Sequence, residues 1–219
     1  PILGDAVAAL QPARVAFHEI PMSPDGLVAD TRKPIVFDPD LRVMHFTSAV
    51  KGNTLGSIIG WADHPETPWG KNTEITADFC GYLRAAMERG VIHDGSELAI
   101  GVGGIHLYVN GAIGGLMTTH PSVTVRDPLL ERDFQPPSHD KARALGHQLA
   151  VRVLTELATT NAISTEFAPI SLRARTIEIP ADNKYFMLGA YLGLGDRGFV
   201  RWKTLRTEVR SEEHTSELQ

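Results

Sequence analysis

The stretch Leu55-Gly56-Ser57-Ile58-Ile59-Gly60-Trp61-Ala62 is apolar at almost every position and is followed within three residues by a proline. It is too short for a helix of ordinary length, and its bulky side chains do not alternate with charged ones. It therefore reads as a strand covered on both faces, which requires an interior place in a layered sheet. Upstream, Leu41-Arg42-Val43-Met44-His45-Phe46 alternates with period two, and Lys51-Gly52-Asn53 separates the two runs, so together they predict a β-hairpin.

Further strands are expected at Val15 to Ile20, at Ile35 to Phe37 on an edge, at Gly104 to Val109 before a tight Asn110-Gly111 turn, and at Ile170 to Ile179. The last carries Arg173, Arg175 and Glu178 on a wet face. Two helices are expected. Phe79, Leu83, Ala86 and Met87 share one helical face, with Thr76 as N-cap and Gly90 as stop; from His139 to Thr159 apolar residues recur at spacings of three and four behind the cap Ser138. The proline-bearing segment from Pro121 to Pro137 reads as a loop. Interleaved strands and helices predict an α/β fold, a mixed sheet flanked by helices that forms an incomplete part of a larger layered domain.

A formal net charge of −5 leaves no broad basic field for nucleic acid or an anionic membrane surface. Cys80 is the single cysteine and has no internal disulfide partner, and no apolar run reaches the length of a membrane span. At the start, Asp5 to Leu10 reads as the last turns of a helix already under way. At the end, Arg210 to Gln219 reads as the translation of a sequencing-library adapter, so residues 1–209 are expected to be one domain truncated at both ends, with 210–219 a non-native tail.

Three segments carry candidate chemistry. In Trp61-Ala62-Asp63-His64-Pro65-Glu66-Thr67 an imidazole sits where a strand gives way to a proline turn, the kind of strand end at which open α/β sheets bind ligands. Neutral imidazole is also a common zinc ligand. His-Glu-x-x-His and Cys-x-x-Cys are both absent from the sequence, so a metal site must be assembled from distant segments. The polar loop from Lys71 leads to Asp78 at a helix start, where the carboxylate either complements the helix dipole or approaches the metal. Gly101-Val102-Gly103-Gly104 fails as a dinucleotide fingerprint, since His106 stands at the third glycine position. Asn110 to Gly115 bares backbone at a strand end, suiting either substrate approach or tight packing.

Taken in order, Leu55 to Ala62, His64-Pro65-Glu66-Thr67, Asn72-Thr73, Asp78 to Leu83 and Asn110 to Met117 resemble the N-terminal catalytic domain of the neutral/alkaline non-lysosomal ceramidases, in their bacterial branch. The resemblance spans most of Gln11 to Thr118 and is weaker from Ser138 to Pro180. It implies a zinc-dependent hydrolase of the amide joining a fatty acid to sphingosine, hence a small-molecule or lipid-like acyl substrate. The family's zinc is held by two His, one Glu and one Tyr. His64 matches the His-Pro ligand; the second His belongs to a Thr-His-Thr-His-Ser-like run and the Glu and Tyr to segments beyond Val209, none of them in this sequence. Asn72, Asp78, Asn110, Gly114 and Gly115 are implied to line the site. The family's proposed nucleophile is a Ser in an Asn-x-Gly-Asp-Val-Ser-Pro-Asn run, and Gly115 occupies its position here. Attack by zinc-bound hydroxide is the simpler expectation, with Thr118 or Thr119 as substitute nucleophiles. A catalytically silent fold that binds lipid or glycan is the alternative.

Overall fold

The expected hairpin forms the middle of the sheet. Strand β2 (Leu41–Ser48) pairs antiparallel with β3 (Thr54–Trp61), and Gly52, at a φ of +74°, makes the turn that a side chain would strain. In this computed structural model, residues 2–30, 33–112, 118–160, 162–165, 171–176 and 183–192 are described, and the chain divides into two units, Pro1–Pro169 and Ile170–Gln219. The expected tail at 210–219 lies outside the described residues.

In the first unit, a short helix α1 (Ile2–Ala8) precedes β1 (Ala13–Ile20), which pairs antiparallel with β2 and, through Val15 and Ala16, with the two-residue strand Ser164–Thr165. On the other side β3 pairs in parallel with β4 (Ile105–Asn110), from Gly56 opposite Ile105 to Trp61 opposite Asn110. Parallel neighbours need a crossover. The chain supplies it with helix α2 (Asp78–Arg89) and a hairpin of Gly90–His93 with Ser96–Ile100. The sheet is thus mixed, and β3 is interior to it, as its composition demands.

One face of the sheet carries the core. Leu41, Val43, Ile59 and Trp61 are buried against Phe79, Leu83, Ala86 and Met87 of α2 and Leu145, Leu149 and Val153 of α3 (His139–Thr159). Ser138 caps α3 as expected, its side chain accepting from the Lys141 amide at 3.1 Å. His18 on β1 meets Glu156 on α3 at 3.2 Å. The two helices meet at Gly146, where an added Cβ would lie 2.6 Å from the Tyr82 Cβ and 2.7 Å from the Phe79 carbonyl.

The opposite face is apolar yet open. Phe17, Ile105, Leu107 and Val109 are 48–71% exposed, and Ile58 and Phe46 border them. The expectation that β3 is covered on both faces is met only on the helix side; among the described residues its other face is open.

Several sequence expectations change. Ile35 to Phe37 forms no strand and is exposed. Thr76 does not cap α2: Ala77 occupies that position, and the Thr76 hydroxyl accepts from the Asp78 amide instead. Asn110-Gly111 is not a turn, because the Gly111 amide continues the ladder by donating to the Trp61 carbonyl at 2.8 Å. The loop from Pro121 to Pro137 contains a hairpin, Val125–Asp127 with Arg132–Phe134. Residues 171–176 are not a strand, and the rest of Ile170 to Ile179 lies outside the described residues. Within the second unit the structure describes one helix, α4 (Lys184–Tyr191).

Asp127 organises the late hairpin. Its buried carboxylate accepts from the Leu129 and Leu130 amides at 2.9 and 3.1 Å and faces Arg143 at 3.5 Å and the His147 Nδ1 at 3.6 Å. Burial pushes this carboxyl up, but His147 and the two amides together outweigh burial and hold it at about 2.

Two predictions follow from this packing. Gly146→Ala gains up to about 1 kcal/mol of helix propensity. It must also separate α2 from α3, at a cost of about 1–3 kcal/mol, so the net effect expected in urea unfolding is destabilisation. A carboxyl held at about 2 rather than 3.8 stabilises the fold by roughly 2 kcal/mol, a contribution present above the unfolded value and lost as pH falls through the folded one. Asp127→Asn is accordingly expected to be less stable at neutral pH, with the gap to the parent closing as unfolding is repeated at progressively lower pH toward 2.

Candidate functional site

Parallel pairing of β3 with β4 places their C-terminal ends at the same edge of the sheet. Trp61 and Asn110 are register partners there, and three residues beyond Trp61 His64 makes an isolated parallel bridge with Thr118. The turn after His64 is closed by the Glu66 amide donating to the His64 carbonyl at 2.8 Å.

Asp63, one residue earlier, continues the inward alternation of Ile59 and Trp61 and is buried. The Thr119 hydroxyl donates to its Oδ2 at 3.2 Å, and the Tyr108 hydroxyl donates to the Trp61 carbonyl at 3.0 Å. Burial drives the Asp63 carboxyl well above the usual carboxylate range, the Thr119 hydrogen bond opposes this, and the Asp78 and Glu66 charges add to the rise. Burial likewise raises the Tyr108 hydroxyl and pushes the Cys80 thiol up to about 12. A thiol that far from ionisation is no nucleophile near neutral pH.

Asp78 stands at the first turn of α2 with a φ of +50°. Its carboxylate accepts from the Thr67 amide at 2.8 Å and the Phe79 amide at 2.5 Å, which staples the segment after His64 to the start of the helix. Desolvation raises this carboxyl, and those amide hydrogen bonds oppose the rise. Asn72 turns back on its own loop, with its side chain bonded to both the amide and the carbonyl of Glu74. That loop borders a separate small cleft of about 260 Å³ with Pro137, Ser138 and His139. His64, Asp78 and Asn110 are thus tied to one edge of the sheet through named hydrogen bonds and register, whereas Asn72 has no such tie to it. Gly114 and Gly115 lie outside the described residues.

Asp63, Thr67 and Thr118 share a further property. Asp63 Oδ1, Thr67 Oγ1 and Thr118 Oγ1 are buried and have no hydrogen-bond partner among the described residues. Buried polar atoms are normally satisfied, so three orphans flanking one histidine mark an unusual place in this fold. Of these, Asp63 and Thr67 were not singled out from sequence; the period-two alternation through Ile59 and Trp61 was the available signal for Asp63. Among the described residues no group of three His, Cys, Asp or Glu side chains lies close enough together to hold a metal. The two nearby carboxylates are engaged with Thr119 and with the Thr67 and Phe79 amides.

No helix among the described residues is long and apolar enough to cross a membrane. No family model and no curated protein matches the sequence. Solved structures do. The chain is similar to a neutral ceramidase from Pseudomonas aeruginosa, with a TM-score of 0.55 and 17% identity over 73% of this chain and 25% of that one. It is also similar to a ceramidase complexed with C2, with a TM-score of 0.53 and 17% identity over 73% and 24% of the two chains. The chain therefore spans about a quarter of the length of these structures and shares their fold over 73% of its own length.

Proposed function

We propose that this chain forms part of the catalytic domain of a zinc-dependent hydrolase of amide or related acyl bonds, acting on a lipid-like acyl substrate. The observation that carries the reading is the gathering of His64, Asp63, Thr67 and Thr118, three of them with orphaned buried polar atoms, at the C-terminal edge of a sheet built like that of the ceramidases. In this reading His64 supplies one imidazole, and the remaining ligands come from polypeptide other than the described residues. Asp78 and the Thr67 amide hold the His64 turn in place, and Asn110 borders it.

The chain by itself is expected to bind zinc only weakly, since zinc sites use three or four protein ligands. Titration of the purified chain with zinc, followed by calorimetry, is expected to show no site tighter than the micromolar range; a nanomolar site would contradict this assembly. In a ceramidase-length protein containing the segment, His64→Ala is expected to abolish the bound zinc measured by elemental analysis. Unchanged zinc content would remove His64 from the site. Retained zinc with no hydrolysis of N-acyl substrates would favour the silent binding fold.

A further inference from the structure

A second cavity, of about 390 Å³, lies between α2, the Gly90–His93 strand and α3. It is at the Arg89 end of α2, roughly 16 Å along the helix from the Asp78 end, and shares no residue with the His64 edge. Its wall contains Arg89, His93, Arg143 and His147, with Tyr82 and Ile92 among the remaining residues and no acidic side chain. Four basic groups around one cavity are unexpected in a chain whose net charge is −5.

The geometry beneath the wall prepares these groups. His147 is 4% exposed, and its Nδ1 makes no hydrogen bond within ordinary limits but faces the Asp127 carboxylate at 3.6 Å. The Nδ1 side of the ring is thus turned toward Asp127, and His147 forms part of the cavity wall. Arg143 is held by Asp140 at 2.6 Å and Asp127 at 3.5 Å, which fixes its guanidinium at the wall. Asp127 also accepts from two amides and faces His147, so its negative charge is divided among several donors. Arg89 is exposed and makes no ion pair with a described residue, and His93 has only the exposed Asp94, at 3.4 Å.

We propose that this cavity binds a small organic oxyanion, with a carboxylate or phosphate head met by the guanidinium groups of Arg89 and Arg143, and a short apolar part against Ile92, Ala85 and Ala86. Guanidinium groups match both heads by paired N–H donors, and the volume suits a small ligand rather than a chain molecule.

The test is titration of the purified chain, at constant ionic strength in chloride, with sodium phosphate and separately with sodium acetate, following the imidazole C–H resonances of His147 and His93. A saturable shift with phosphate alone assigns a phosphorylated ligand, and one with acetate, alone or as well, assigns a carboxylate; both support the site. Arg89→Gln is expected to weaken binding about tenfold, the loss of one charge-assisted hydrogen bond. Ile92→Glu, which places a carboxylate in the cavity, is expected to abolish the shift while the remaining resonances report an intact fold. A linear drift reproduced by added chloride, or equal saturation in the parent and both variants, would overturn the proposal. The His64 site is untouched by any of these changes, so failure here leaves the hydrolase reading standing.

Discussion

Parallel pairing of β3 with β4 sets the terms for everything else in the first unit. Two neighbouring strands that run the same way cannot be joined by a tight turn, so the chain must leave the sheet, cross it and return. That excursion is α2 and the hairpin after it. The close approach is visible at Gly56, where any side chain would collide with the Ile105 carbonyl. Because the strands run together, their C-terminal ends are brought side by side, and the segments that leave them, one through His64 and one through Asn110, start from a common edge.

The polar groups at that edge are held by the same scaffold that excludes water from the core. Trp61 and Asp63 point to the same side of β3, so the core residue and the buried carboxyl are two positions of one alternation. The cost of burying Asp63 shows in its raised ionisation, relieved in part by Thr119. Asp78 tolerates a left-handed backbone because both carboxylate oxygens are used, one on the Thr67 amide and one on the Phe79 amide. A helix start with no capping side chain at Ala77 is thereby compensated from within the helix.

Much of this was legible in the sequence. The central hairpin, β1, β4, α2 and α3 lie where periodicity placed them, since long apolar periods are dictated by burial and burial is what holds the elements. The misses have local causes. Asp94-Gly95 between Val91-Ile92 and Leu98-Ala99 is a hairpin signal, confirmed by positive φ at both turn residues, but it follows a helix so closely that the apolar run reads as its tail. The late hairpin depends on Asp127, which bonds the amides of its own turn and faces Arg143 and His147 of the following helix, contacts that carry no periodic trace. Thr76 had the chemistry of a cap, but Ala77 holds the cap position and Thr76 accepts from the Asp78 amide. At the site, the alternation through Ile59 and Trp61 extends to Asp63 without any motif to mark it, and Asn72 is polar for the sake of its own loop.

The open face of the sheet has its own consequence. Phe17, Ile105, Leu107 and Val109 confront water across several adjacent strands, a larger continuous apolar surface than scattered exposed side chains provide. Attraction between such faces strengthens in the presence of excluded salts and slackens on cooling, following the thermodynamics of apolar hydration rather than of charge. At this face, then, sulfate and warming favour contact between apolar surfaces and cooling loosens it.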